Sequence, residues 1–134
     1  MRFVDSNIWL YALGSTGDLK KQAAAASVIN FPDLVISTQV INEVCFNLIR
    51  KSGFDALQVQ EVIESMYERA LVVQPDKDSI LLAVGLRESA SLSYWDSQLV
   101  ACAVLVGCAE FLSEDMHDGQ LIEGSLRVRN PFKH

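Results

Sequence analysis

The sequence predicts an α/β fold with a mainly parallel sheet, on three observations: apolar runs of strand length, helix-period segments between them, and capping or turn residues at most junctions. Strands that alternate with helices pair in parallel, because each helical crossover returns the chain to the same end of the sheet.

The elements follow in order. Arg2-Phe3-Val4 is the first strand, and it runs into Asp5-Ser6-Asn7, three residue types that cap helices, ahead of Ile8 to Ala12. Gly14 to Asp18 is a loop. Leu19 to Asn30, with four consecutive alanines, is a helix by propensity, ended by Phe31-Pro32-Asp33. Leu34 to Ser37 is a second buried strand. Thr38 then caps a helix whose apolar positions Val40, Ile41, Val44, Cys45, Leu48 and Ile49 keep helical spacing up to Gly53. Asp55 starts the next helix, with Leu57, Val59, Val62, Ile63 and Met66, and Leu71 to Val73 is a strand before Pro75. Helices from about Asp78 to Ser89 and from Tyr94 to Val106 follow, the second ended by Gly107. Glu110 to Ser113 is a fourth strand, Glu114 to Gln120 a polar loop, and Leu126 to Arg129 a short edge strand before Asn130-Pro131.

With 134 residues, half of them hydrophobic, residues 1–134 suit a single domain that buries its core without staples. The apolar runs are too short to cross a bilayer and the N-terminus lacks a long apolar leader, so no membrane partner is expected and the location is cytoplasmic. Cys45, Cys102 and Cys108 lack metal spacing and read as buried thiols in a reducing compartment. A catalytic thiol would need a nearby base, and only His117 and His134 are available. A net charge of −6 argues against broad electrostatic capture of nucleic acid. That objection weakens if the acids cluster, since two divalent cations would offset four of the charges.

In a parallel α/β sheet, ligands sit outside the carboxyl ends of the strands. Asp5 ends the first strand and Asp115 follows the fourth, so both belong at that rim. Glu43 stands inside a largely apolar helix, an unusual place for an unpaired carboxylate. Asp96 lies in the first turn of a helix, where the helix dipole favours an anion. Singly, Asp5 reads as an N-cap, Asp115 as a loop acid and Asp96 as a dipole partner. Jointly the four are a set of hard oxygen ligands that would repel one another without Mg²⁺ or Mn²⁺.

Four motifs carry a family resemblance along essentially the whole chain. Phe3-Val4-Asp5-Ser6-Asn7-Ile8, Ser37-Thr38-Gln39-Val40-Ile41-Asn42-Glu43-Val44, Tyr94-Trp95-Asp96-Ser97-Gln98-Leu99 with the helix behind it, and Phe111-Leu112-Ser113-Glu114-Asp115-Met116 resemble the acidic motifs of PIN-domain ribonucleases. The likeness is greatest to toxins of VapBC-type toxin-antitoxin pairs. It implies a three-layer sandwich and a metal-binding quartet of Asp5, Glu43, Asp96 and Asp115, supported by the Ser113 hydroxyl. Ser6 and Asn7 are further supporting donors, and Asp118 acts through water or is a solvated loop acid. It further implies Mg²⁺- or Mn²⁺-dependent endonucleolytic cleavage of single-stranded RNA, a homodimer, and a small antitoxin partner. The dimer has a second motive in the apolar content of the helix at 55–69. Basic residues are few near the motifs, so a phosphate-tracking surface would draw on Arg2, Lys20, Lys21, Arg50 and Lys51 or on a dimer. Trp9, Tyr94 and Trp95 could stack on bases, although aromatics at helix starts are more often core or staple residues. The alternative function is a non-catalytic PIN-like domain that binds RNA or protein. An aspartyl-phosphate receiver domain fits less well, since Asp5 is followed by Ser6 rather than a second acid.

Overall fold

The computed structural model describes residues 1–133, and His134 lies outside the described residues. The chain order is β1 (Arg2–Val4), α1 (Ser6–Ala12), α2 (Leu19–Val28), β2 (Leu34–Ser37), α3 (Thr38–Ser52), α4 (Ala56–Arg69), β3 (Ala70–Val73), α5 (Lys77–Ser89), α6 (Tyr94–Val106), β4 (Glu110–Leu112), β5 (Leu121–Ile122) and β6 (Leu126–Arg129). The strands form one sheet ordered β3-β2-β1-β4-β6-β5, parallel except for β5.

That order fixes the layers. The steps from β1 to β2 and from β2 to β3 go one way across the sheet, and the step from β3 to β4 goes back past both. Right-handed crossovers then put α1 to α4 on one face and α5 with α6 on the other. The packing agrees, with α1 against α2 and α3, α3 against α4, and α5 against α6. The expected three-layer α/β sandwich is therefore the observed one.

Local chemistry sets the element ends. Asp18, Asp55, Asp76 and Ser93 accept backbone N–H bonds as N-caps, and Asp55 and Asp76 complete capping boxes with Gln58 and Ser79. Gly53 and Gly107 close α3 and α6 at φ 65° and 90°, a left-handed conformation that costs a side-chain-bearing residue energy. At the centre, Phe3 of β1 and Phe111 of β4 are register partners, fully buried, with rings stacked at 5.1 Å. Such a pair adds about 0.5–1.5 kcal/mol beyond its buried area and locks the two strands that carry the first and last acids.

Several expectations need correction. Helix α3 is capped by Ser37 rather than Thr38, with no side-chain cap bond. The final strand, β6, is not an edge: Leu126 and Val128 are fully buried, and β6 lies between β4 and β5. The true edge on that side is β5, a two-residue strand in the stretch between the polar loop and β6 to which the sequence assigns no element. It joins β6 through a turn in which Glu123 and Gly124 both have positive φ, as hairpin turns require. The core absorbs much of the apolar content of α4, because Val59, Val62 and Met66 are buried and Leu57 is left exposed. Of the three thiols, Cys102 and Cys108 are buried and Cys45 is only half-buried. Burial raises all three thiol pKa values, Cys108 to about 11. No helix among the described residues is long and apolar enough to cross a membrane.

Candidate active site

Chain direction reverses across the sheet between β1 and β4, and the crevice at such a switch point is where parallel sheets hold ligands. Asp5 leaves β1 here. It is 5% exposed and caps α1: Oδ1 accepts from the Ser6 amide at 2.7 Å and from Ser6 Oγ at 3.4 Å. Its Oδ2 accepts from Ser113 Oγ at 2.8 Å, directly across the crevice. The capping reading and the site reading of Asp5 are thus one geometry.

Ser113, fully buried just after β4, anchors the opposite wall. Its hydroxyl accepts from the Asp115 amide at 3.3 Å and from Asn7 Nδ2 at 3.4 Å. Asn7 also donates to Asp115 Oδ2 at 3.0 Å and accepts from the Glu114 amide at 3.4 Å. The loop after β4 is in this way tied to the first turn of α1.

Glu43 and Asp96 arrive from the two helical layers. Helix α3 starts at the carboxyl end of β2, so Glu43 stands near the rim. Helix α6 runs against the strands, so its N-terminus, with Asp96, reaches the same rim. Gln39, one turn before Glu43, donates to Glu43 Oε1 at 3.3 Å and to the Trp95 carbonyl at 3.2 Å, bridging α3 to α6. The Asp96 amide donates to the capping Ser93 hydroxyl at 3.1 Å.

Electrostatics link the four acids. Burial raises the Asp5 carboxyl to about 6 against the lowering effect of Ser113 and Ser6, and the charges of Asp96 and Asp115 raise it further. Burial likewise raises Glu43 to about 7, with added repulsion from Asp5 and Asp96 and a lowering contribution from Gln39. These carboxylates are near enough to repel. Yet among the described residues no group of three or more His, Cys, Asp or Glu side chains is arranged to hold a metal ion as it stands. Neutral donors bind three of the four: Asn7 to Asp115, Gln39 to Glu43, and Ser113 and Ser6 to Asp5.

The remaining candidates are distributed more widely. Asp118 Oδ1 accepts from the Asn130 amide at 2.8 Å, fastening the loop after β4 to the end of β6. His117 is exposed. Arg2 stands at the start of β1, the end away from Asp5, and pairs with Glu110, so it does not track phosphates at this rim. Lys51 lines a cavity of about 220 Å³ with Asn7, Tyr11 and Asp115. Lys21 binds Glu114, which also accepts from Tyr11 Oη at 2.7 Å and is lowered in pKa by these two partners. Sequence reasoning passed over Glu114, Tyr11 and Gln39. The position of Gln39 one helical turn before Glu43 was the available signal.

An α/β sandwich with acids gathered at its switch point defines the class to which the comparisons then assign the molecule. The PIN domain family model matches residues 2–117, and the chain belongs to that family. A comparison with curated protein sequences finds no match. Among solved structures, the fold is similar to a toxin-antitoxin complex from Klebsiella pneumoniae, at 23% identity and TM-score 0.71 over 98% of each chain. It is also similar to FitAcB from Neisseria gonorrhoeae, at 16% identity and TM-score 0.69 over 100% of each chain. A third is the Mycobacterium tuberculosis toxin VapC20, described as cleaving the sarcin-ricin loop, at 15% identity and TM-score 0.64 over 83% of this chain and 87% of that one.

Proposed function

We propose that this PIN domain is an Mg²⁺- or Mn²⁺-dependent endoribonuclease acting on single-stranded RNA, the toxin of a toxin-antitoxin pair. The observation that carries the reading is the mutual repulsion of Asp5 with Asp96 and Asp115, and of Glu43 with Asp5 and Asp96, at one sheet rim. Evolution rarely leaves buried carboxylates unmatched without a use, because desolvated like charges cost stability. The donor set is all oxygen, the preference of hard divalent cations, and Asp5, Glu43, Asp96 and Asp115 would hold the ion.

A bound divalent ion supplies a water of lowered pKa and neutralises charge on the phosphoryl oxygens. The protein's own residues do the rest. Ser113 and the Ser6 amide fix both oxygens of Asp5, and Asn7 orients Asp115. Gln39 donates to Glu43 Oε1 at 3.3 Å and so orients that carboxylate toward the rim. In-line displacement by water leaves a 5′ phosphate and a 3′ hydroxyl. Cleavage of single-stranded RNA with Mg²⁺ or Mn²⁺, lost on adding EDTA and in Asp96→Asn, is the expected result. An EDTA-resistant rate would sink the metal-dependent mechanism.

The same reading places the molecule in the cytoplasm, as a homodimer masked by a small antitoxin. Support for the dimer comes from exposed apolar side chains on α3, α4 and α5, among them Ile49, Leu57 and Leu81 at 55%, 65% and 61%. Light scattering of Leu81→Glu against the parent tests it. The expectation is a dimer converted to a monomer, and a monomeric parent at high micromolar concentration removes the claim.

A further inference from the structure

Beside Glu43, a groove of about 810 Å³ opens between α3 and the N-terminal ends of α5 and α6. We infer that this groove is the subsite for an unpaired nucleobase next to the scissile phosphate, with Trp95 as its stacking platform and Gln98 and Asn42 reading the base edge. The inference rests on the ribonuclease reading and extends it to how the strand is seated.

Continuity is the first argument. Glu43 forms part of the groove wall, so an occupant lies against the acidic rim. The second is the character of the lining. Its polar side chains, apart from Glu43, are neutral amides and hydroxyls, with no lysine or arginine. A phosphate placed deep in the groove, away from an ion held at the rim, would find no basic side chain to bind it. A base brings a flat π-face and edge donors and acceptors, which suit aromatic walls and amides.

The aromatic residues sort cleanly. Trp9 is 2% exposed and belongs to the core, whereas Trp95 is 65% exposed. The Tyr94 ring meets Trp95 edge-on, with centroids 5.0 Å apart at 88°, and so steadies the Trp95 ring beside the groove. Phe46, 60% exposed, lines the groove from α3.

The amides sort as well. Gln39 is occupied by Glu43 and the Trp95 carbonyl, and Asn47 Nδ2 by the Glu43 carbonyl at 2.8 Å. Gln98 is different: it lines the groove at 4% exposure, and its Nε2, itself enclosed, has no hydrogen-bond partner among the described residues. A buried donor left unpaired is costly, so the Gln98 amide gains by turning toward a base edge that offers it a carbonyl oxygen or ring nitrogen. Asn42, exposed on the same lining, adds a second amide in reach of a base edge.

The test uses the full chain and eight-nucleotide oligouridylate and oligoadenylate, read by tryptophan fluorescence and by cleavage. Stacking should quench Trp95 and spare buried Trp9. Trp95→Ala should weaken binding by roughly 5- to 100-fold, raising KM more than it lowers kcat, and Trp95→Phe should restore most of the loss. Gln98→Met and the exposed variant Asn42→Ala should change the ratio of affinities for the two RNAs. RNA binding that Trp95→Ala leaves unchanged overturns the inference, as does an absence of quenching by either RNA. So does a Trp95→Ala protein whose only defect is loss of self-association, which would make the groove an interface between two copies. If quenching and its loss in Trp95→Ala occur without any cleavage by the parent, the subsite stands and the nuclease reading fails. If the parent cleaves RNA and Trp95→Ala cleaves it equally well, the nuclease reading stands and the subsite fails.

Discussion

The two ends of the central strands carry similar side chains in opposite states of balance. At the start of β4, Glu110 lies between Arg2 of β1 and Arg129 of β6, at 3.3 and 3.6 Å. Past the other ends of β1 and β4, Asp5 and Asp115 join Glu43 and Asp96, and the side-chain donors to these carboxylates are Ser, Asn and Gln. Glu110 is offset by arginines where it stands, while the acids of the other rim meet only neutral side-chain donors, as the proposed ion site requires. The difference separates charge used to hold the sheet from charge held ready for chemistry.

Removing charge from the unbalanced rim should have the largest effect. Asp5→Asn, Glu43→Gln and Asp96→Asn are each expected to reduce RNA cleavage with Mg²⁺ or Mn²⁺ by at least about a hundredfold, since each takes a charged ligand from a shared ion. Asp115→Asn should lose less, because it is the exposed member and an amide oxygen can still hold a metal-bound water. Equal losses at all four positions would erase that ranking.

Acidity gives a second contrast, smaller and opposite in sign. The folded pKa values of Asp5 and Glu43, about 6 and about 7, lie above the ordinary 3.8 and 4.5. The folded protein therefore binds more protons than the unfolded chain between these limits, and stability falls as pH rises through the window. Metal-free protein should melt at a higher temperature at pH 5 than at pH 8, and Glu43→Gln should flatten the difference. Adding Mn²⁺ should recover most at pH 8. A melting temperature independent of pH from 4 to 8 contradicts the account of the rim.

The balanced end should respond least. Glu110→Gln breaks two half-exposed ion pairs, which predicts a loss of about 1 kcal/mol or less in denaturant unfolding and unchanged RNA cleavage. A large activity loss there would remove the distinction between the two ends.

How much of this was legible in the sequence depends on how local each signal is. Strands β1 to β4 and all six helices could be read, because hydrophobic period and caps act within a few residues: Asp55 with Gln58, Gly53, Gly107. The place of β6 could not, because whether a strand is an edge depends on pairing with β5, whose two residues have no period of their own. Asp5, Glu43, Asp96 and Asp115 stood out by position and by family motif. The contacts of Glu114 with Lys21 and Tyr11 did not, since they span 93 and 103 residues and follow only from the finished fold. Trp95 was ambiguous for the same reason: nothing in Tyr94-Trp95 states which ring is left in solvent.

The hydrogen bond from Ser113 to Asp5 joins residues 108 apart, and it crosses between strands that are neighbours in space but distant in sequence. A growing chain therefore makes Ser113 more than a hundred residues after Asp5. Until Phe111 can stack on Phe3, the wall that positions Asp115 does not exist, however well the earlier helices have folded. For a protein proposed to cut RNA, a chain that has not yet reached β4 lacks the Ser113 and Asp115 side of the proposed site.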